Sequence, residues 1–270
     1  MPAVELSRLH TQIQLAARIF SSAEQFVKQL SAVYELYSDR TFNPLAAGKR
    51  LLSADAYNVA PLINHQFELE FGRFCEDNPL SSLDVIDRLW EETKLEPRQL
   101  AVGLLGKIPV EYSDKVILRI QDWSLPTENR DLISFLHDRG TIRLRSEAID
   151  LWLEVIRAWL ESKDTYDQVF GLQSLLPMIK DPDFHDLPRI YDLLTLVFAF
   201  AGTRLQSPLV KVIEALVERS PVETVHYLKM VINKPHSSEL PRLLRRLLPV
   251  FPSEQAKSLK EVLREQPAER

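Results

Sequence analysis

Apolar residues recur every three or four positions along nearly the whole chain, which is the spacing of one face of an α-helix. Near the N-terminus, Leu6, Leu9 and Ile13 belong to one such stripe, and Phe26 and Leu30 belong to a second. A sustained alternation of apolar and polar residues, the pattern of a half-buried strand, is hard to find. The sequence therefore predicts an all-α fold that begins with two helices.

From Leu80 onward the apolar stripes come in pairs joined by short connections. The first pair consists of residues 83–90 and residues 100–108. Further helices are predicted at residues 113–124, 129–138, 143–162, 187–201, 208–219, 222–232, 239–250 and 253–264. Prolines that we interpret as helix-closing stand at positions 109, 177, 221 and 252. The intervals between these prolines suit helical repeats of about 30 to 47 residues, with two repeats in the first interval. The pattern predicts an α-solenoid of antiparallel helix pairs, which bury their apolar faces by stacking on neighbours.

Two of the predicted second helices share a similar phrase. Residues 98–109 read RQLAVGLLGKIP, and residues 167–177 read DQVFGLQSLLP. Each phrase places a glycine, Gly103 or Gly171, inside an otherwise apolar helix. A helix position without a side chain allows a neighbouring element to come close. We therefore predict a close packing contact at each glycine.

The chain before residue 80 is less regular. Asn43-Pro44, Gly48 and Pro61 break the helical spacing between residues 41 and 61, where we predict a short helix and connections. Residues 1–79 are interpreted as an N-terminal helical cap of the solenoid, with a separate helical subdomain as the alternative. Residues 80–270 are interpreted as the repeats.

Composition excludes several classes of protein. Seven glycines are too few for the tight turns of a β-sandwich or the Gly-rich loops of nucleotide-binding α/β folds. The fragment at residues 47–50 lacks the first glycine and the hydroxyl residue of a phosphate loop. Cys75 is the single cysteine, which excludes an internal disulfide and fits a reducing compartment, so we expect a cytoplasmic protein. No histidine pair has a zinc spacing and no stretch suits a bilayer span, so no metal, cofactor or membrane partner is expected.

The segment from Leu80 to Pro252 resembles HEAT repeats. Its phrases LDVIDRLW, at residues 83–90, and RQLAVGLLGK, at residues 98–107, are similar to the HEAT-like-repeat bacterial DNA alkylation repair family. The resemblance implies duplex DNA bound in a concave surface, and excision of cationic alkylpurines by an acidic residue with tryptophans near the lesion. The candidate DNA-binding residues that it implies in the middle repeats are Asp122, Trp123, Asp131, Arg143, Arg145 and Trp152. The family's catalytic spacing does not align with these positions, so no catalytic residue is assigned.

The tryptophans among these candidates have two interpretations. Trp152 shares one face of a predicted helix with Trp159, which is the pattern of core packing. Trp123 stands at a helix end, where we expect it to be exposed. An exposed indole is able to stack on an unpaired base.

No residue pattern indicates catalysis, so the leading hypothesis is a non-enzymatic scaffold that binds a protein or peptide partner on its curved surface. The alternative is a DNA-binding protein of the alkylation-repair type, either an active glycosylase or a relative without that activity. The formal net charge of −5 weighs against DNA, because phosphate contacts supply much of DNA affinity. The DNA hypothesis predicts a positive stripe across the middle repeats, and a uniformly acidic inner face would exclude it. A small-ligand or regulatory module is a third hypothesis.

Overall fold

The computed structural model describes residues 5–38, 56–125, 128–198, 203–233 and 239–265. Every regular element in these ranges is helical, so the prediction of an all-α fold is confirmed. Within the same ranges, no helix is long and apolar enough to cross a bilayer. The short helix predicted between residues 41 and 61, up to residue 55, and the phosphate-loop fragment at residues 47–50 lie outside the described residues.

The chain forms two compact units, Met1–Ala148 and Ile149–Arg270. The helices of the first unit are α1 (Leu6–Ala17), α2 (Ala23–Tyr37), α3 (Pro61–Asp77), α4 (Pro79–Trp90), α5 (Leu95–Leu105), α6 (Ser113–Trp123), α7 (Arg130–Phe135) and α8 (Ile142–Glu147). A π-helical turn, Leu136–Gly140, follows α7 directly. The helices of the second unit are α9 (Ile149–Glu161), α10 (Thr165–Lys180), α11 (Leu187–Phe198), α12 (Gln206–Arg219), α13 (Pro221–Ile232), α14 (Glu239–Leu247) and α15 (Ser253–Glu265).

Several helices begin at the signals expected from the sequence. Pro61 and Pro79 occupy the first positions of α3 and α4, where a missing backbone N–H costs nothing. Asn129 caps α7 by accepting a hydrogen bond from the backbone N–H of Asp131 at 2.8 Å. Asp164 caps α10 in the same way. These prolines and caps mark the starts of α3, α4, α7 and α10.

Alternate helices of the first unit lie side by side. α2 packs beside α4, and α3 packs beside α5. Near the start of both helices, the side chain of Asn64 in α3 donates to the backbone carbonyl of Glu96 in α5 at 2.9 Å. Further along, Gly72 of α3 lies against Lys107, just beyond the end of α5. α3 and α5 therefore run in the same direction, which fits HEAT-like helix pairs stacked on one another.

The second unit repeats this arrangement. α9 packs beside α11, which packs beside α13, while α10 packs beside α12. An ion pair of 2.7 Å joins Asp150 and Arg189 at the starts of α9 and α11. The rings of Tyr191 and Tyr227 stack at 4.6 Å and join α11 to α13. A continuous superhelix through both units, with residues 1–79 as its cap, stays a prediction.

Three predicted helix boundaries were wrong. The helix predicted at residues 143–162 is two helices, because Ala148 leaves the helical conformation between α8 and α9. Pro177 does not close a helix but lies inside α10, which continues to Lys180. A proline this close to a C-terminus removes a single hydrogen bond of the helix. Pro221 occupies the first turn of α13 and so opens that helix instead of closing α12.

Candidate nucleic-acid interface

α5 is the most deeply buried helix of the first unit. Every residue from Leu100 to Gly106 is buried. The helices α3 and α4, α7 and the π-helical turn pack around it. Apolar side chains on most of its circumference explain this position. Gly103 lies on the edge of α5 next to α3, and Lys107 follows one turn later, just beyond the end of the helix; we call this edge the outer edge of α5.

The close contact predicted at Gly103 is confirmed, and the neighbour is a charged side chain. A Cβ atom added to Gly103 would lie 2.8 Å from Oε2 of Glu68, which extends from α3. The Glu68 side chain is 14% exposed. The absence of a side chain at Gly103 therefore creates room for a carboxylate directly on the surface of α5.

Two cations from different elements hold this carboxylate. Nη2 of Arg139, in the π-helical turn, donates to Oε1 of Glu68 at 2.6 Å. Nζ of Lys107 lies 3.8 Å from the same oxygen. The π-helical turn reaches this position because Gly106 leaves space on α5 for the backbone carbonyl of Arg139. π-helical turns of this kind frequently occur at functional sites.

Arg143 of α8 extends the same charged surface. Its Nη1 donates to the backbone carbonyl of Lys107 at 2.8 Å, and its Nη2 donates to Glu76 of α3 at 3.2 Å. Its Nε donates to Glu147 at 3.0 Å. We call Glu68, Glu76, Lys107, Arg139 and Arg143 the charge cluster. It joins three elements of the first unit across the outer edge of α5.

Arg145, the second predicted arginine, serves the local fold. Its side chain is only 11% exposed. Its Nη2 donates to the backbone carbonyl of Asp138 at 2.6 Å, and its Nε donates to the hydroxyl of Thr141 at 3.1 Å. These bonds tie the π-helical turn to α8. Arg145 therefore helps to position the turn that carries Arg139.

The prediction that Trp123 is exposed was wrong. Its exposed fraction is 7%, because its ring stacks on that of Trp90 at the end of α4. The ring centroids are 4.2 Å apart and the planes differ by 4°. The guanidinium of Arg98 covers the other face of Trp90 at 4.2 Å and pairs with Glu128 at 2.7 Å. An indole at a helix end gains more from this apolar and cation–π contact than from exposure to water.

The remaining candidates do not join the charge cluster. Asp122 at the end of α6 and Asp131 at the start of α7 are exposed, and no contact described in the first unit connects them to it. Trp152 belongs to the second unit, where it is fully buried and meets Trp159 edge-on at 5.5 Å. The interpretation of Trp152 and Trp159 as core residues is confirmed.

One buried histidine lies in the π-helical turn. Burial lowers the pKa of His137 to about 4, because the low-dielectric interior disfavours the charged imidazolium. His137 is therefore neutral near neutral pH and adds no charge to the neighbouring cluster. Among the residues that the structure describes, no group of three side chains suits a metal ion.

Most of the charge cluster lies in a segment that matches the model of a known protein family. The model of the family described as DNA alkylation repair enzyme matches residues 71–246, more than half of the 270-residue chain. The chain belongs to the DNA alkylation repair enzyme family. The resemblance found in the sequence is thus confirmed, and Lys107, Arg139 and Arg143 lie within the family segment. Comparisons with curated proteins and with solved structures found no match.

Of the three cations in the charge cluster, Arg143 was predicted from the sequence, whereas Lys107 and Arg139 were not. Arg143 was a candidate because of its place in the middle repeats. Lys107 stands in the phrase that carries the family resemblance, one turn after Gly103, and this spacing is a signal that could have identified it. Arg139 has no such signal, because its position depends on the π-helical turn.

Proposed function

We propose that this member of the DNA alkylation repair enzyme family binds duplex DNA through its phosphate backbone, on the surface formed by the charge cluster. The observation that carries the proposal is the convergence of Lys107, Arg139 and Arg143, from three elements, on one outer edge of α5. All three lie within the segment matched by the family. Arginine and lysine are the residues that contact phosphates most often.

The exposure of these side chains supports a role in binding. Lys107 and Arg139 are each 35% exposed, so a phosphate in solvent reaches them without unfolding of the helices. The stem of Lys107 lies against Gly72 of α3 and holds its ammonium in place, which reduces the entropy lost on binding. The three cations lie beside Glu68, Glu76 and Glu147, so this surface carries both signs of charge. The positive stripe across the middle repeats stays a prediction.

The proposal concerns binding and assigns no excision step to the predicted candidates. Trp123 and Trp152 are packed in the interior and are therefore unable to stack on a base. Asp122 and Asp131 are exposed but lie apart from the charge cluster. The scaffold hypothesis, in which a protein or peptide partner is bound, stays a prediction.

The test is binding to a fluorescent duplex measured by anisotropy. We expect a variant with both Lys107→Gln and Arg139→Gln to bind at least about tenfold more weakly, because two phosphate contacts are lost. The matched control replaces Arg18 and Lys28, an exposed arginine and an exposed lysine of the first unit, by glutamine. Equal binding of the double variant and of this control would refute the proposal.

A parallel titration uses the same duplex with one alkylated base. Tighter binding to the alkylated duplex would extend the proposal to lesion recognition. Equal binding to both duplexes would restrict it to the phosphate backbone. Protein that binds neither duplex at low salt would leave the scaffold hypothesis as the working interpretation, and capture of a protein partner would follow.

A further inference from the structure

The carboxylate of Glu68 lies where a bound anion would lie. It accepts a hydrogen bond from Arg139 at 2.6 Å, and the ammonium of Lys107 is 3.8 Å from the same oxygen. A phosphodiester offers arginine and lysine a similar arrangement, since two oxygens share one negative charge. The charge cluster therefore contains an oxyanion site whose occupant is part of the chain itself.

Gly103 gives this site its depth. A Cβ at Gly103 would lie 2.8 Å from Oε2 of Glu68 and 2.9 Å from its Cδ, so any side chain there would push the carboxylate outward. The bare backbone of α5 instead forms the floor of the site. An oxyanion that reaches this floor lies within reach of both Lys107 and Arg139.

The occupant is able to leave. Glu68 reaches the site with a flexible side chain from α3, and its only described ionic partners are Lys107 and Arg139, both partly exposed. Ion pairs at such partly solvated positions contribute little to the free energy of folding. Among the described contacts, departure of the carboxylate breaks only those with Arg139 and Lys107.

We propose that Glu68 occupies, in the free protein, the site that a backbone phosphate takes when DNA binds. DNA binding then exchanges one carboxylate for one phosphate on Lys107 and Arg139. A single small anion competes poorly with a tethered carboxylate, whereas a duplex supplies neighbouring phosphates that hold it on the same surface. Glu68 thereby selects a polyanion over isolated anions. This inference rests on the proposed DNA binding.

Two variants remove the occupant in different ways. Glu68→Gln keeps the shape of the side chain and deletes its charge. Gly103→Ala keeps the charge and displaces the carboxylate, but its methyl group also covers the floor of the site that a phosphate would need. The matched control is Glu76→Gln, which makes the same change in charge within the charge cluster but beside Arg143, at 3.2 Å, and not on Gly103.

The measurement is duplex affinity by anisotropy at one salt concentration, with circular dichroism to verify that each variant is folded. We expect Glu68→Gln to bind roughly tenfold more tightly than the unchanged protein, since one charge-assisted hydrogen bond becomes available to the ligand. Gly103→Ala should bind no more tightly than the unchanged protein, because its methyl group fills the site that the phosphate would take. Glu76→Gln frees only one of the hydrogen bonds of Arg143, which still donates to Glu147 and to the backbone carbonyl of Lys107, so it should tighten binding less than about threefold.

The outcomes separate this inference from the proposal beneath it. DNA binding is supported if the unchanged protein binds the duplex and the Lys107→Gln, Arg139→Gln variant binds it weakly. If, in addition, Glu68→Gln has the same duplex affinity as Glu76→Gln, the proposed exchange is wrong. If neither the unchanged protein nor Glu68→Gln binds the duplex, both are wrong. Tightening by Glu68→Gln, without tightening by Gly103→Ala and with a smaller effect of the control, supports the exchange.

Discussion

Helices α5 and α10 have similar sequences but use their glycines, Gly103 and Gly171, differently. In the first unit, Gly103 receives the carboxylate of Glu68 at a partly solvated edge. In the second unit, a Cβ added to Gly171 would lie 2.6 Å from Cδ2 of Leu160, so this glycine closes an apolar seam between α9 and α10. A glycine within a helix thus signals close approach, and the chemistry of the neighbour decides whether the contact serves packing or binding.

The difference extends to the next turn of the two helices. Gly106 of α5 leaves room for the carbonyl of Arg139 in the π-helical turn. When the phrases are aligned on Gly103 and Gly171, the residue that corresponds to Gly106 is Ser174, which is buried. A serine side chain fills the space that a backbone carbonyl would need. Of these two helices, only α5 therefore leaves space for the π-helical turn that carries Arg139.

The largest expected effect follows from exchanging these two residues. We expect Gly106→Ser to lower the free energy of unfolding by about 3 kcal/mol, because the backbone of the π-helical turn must shift away from α5. The reciprocal change, Ser174→Gly, should cost about 0.5 kcal/mol of helix propensity. Chemical denaturation followed by tryptophan fluorescence measures both, and equal losses would contradict the comparison.

The second prediction concerns pH and the first unit. The folded state keeps His137 neutral, with its pKa lowered to about 4, whereas in the unfolded chain its pKa is about 6.5. As the pH falls below the unfolded value, the unfolded state binds a proton that the folded state does not, so stability decreases until the folded pKa is reached. Between about pH 7 and about pH 5 we expect a loss on the order of 2 kcal/mol.

The control for this titration is His137→Gln, which removes the proton-binding group. Denaturation of both proteins at the two pH values gives two differences in unfolding free energy. The loss of unfolding free energy between the two pH values should be smaller in the variant, by the amount that His137 contributes. An identical pH dependence in both proteins would show that His137 is not the group responsible.

The third prediction concerns the apolar seam of the second unit. Gly171→Ala adds a methyl group against Leu160, whose Cγ would be 2.8 Å away in a packed interior. Overpacking should outweigh the gain in helix propensity and lower the free energy of unfolding by about 1 to 2 kcal/mol. A stabilised variant, measured by the same denaturation, would mean that Leu160 moves aside easily.

The smallest expected effect is that of Gly103→Ala on stability. The added methyl group displaces only the end of the Glu68 side chain and improves helix propensity by nearly 1 kcal/mol. Loss of the ion pair with Arg139 removes a contribution of about 0 to 1 kcal/mol. The free energy of unfolding should therefore change by less than about 1 kcal/mol. A loss as large as that of Gly171→Ala would contradict the distinction between the two glycines.

The sequence predicted those features that depend on local spacing. The helical periodicity identified the all-α fold, and the glycines in two apolar helices identified two close contacts. The phrases at residues 83–90 and 98–107 identified the family. Each of these signals lies within a few turns of chain and does not require knowledge of distant neighbours.

Features that depend on distant partners could not be predicted. Glu68 and Arg139 are 71 residues apart and meet only because of a π-helical turn, which has no apolar period of its own to distinguish it from an α-helix. The prediction that Trp123 is exposed was wrong because its stacking partner, Trp90, lies on another helix. Tertiary packing decides such contacts.

The central claim is that the charge cluster binds backbone phosphates, and salt dependence tests it most directly. The logarithm of the association constant for a duplex falls linearly with the logarithm of salt concentration, with a slope set by the number of phosphates contacted. We expect a slope that is smaller by about 2 in the Lys107→Gln, Arg139→Gln variant than in the unchanged protein. Equal slopes for the two proteins would contradict it.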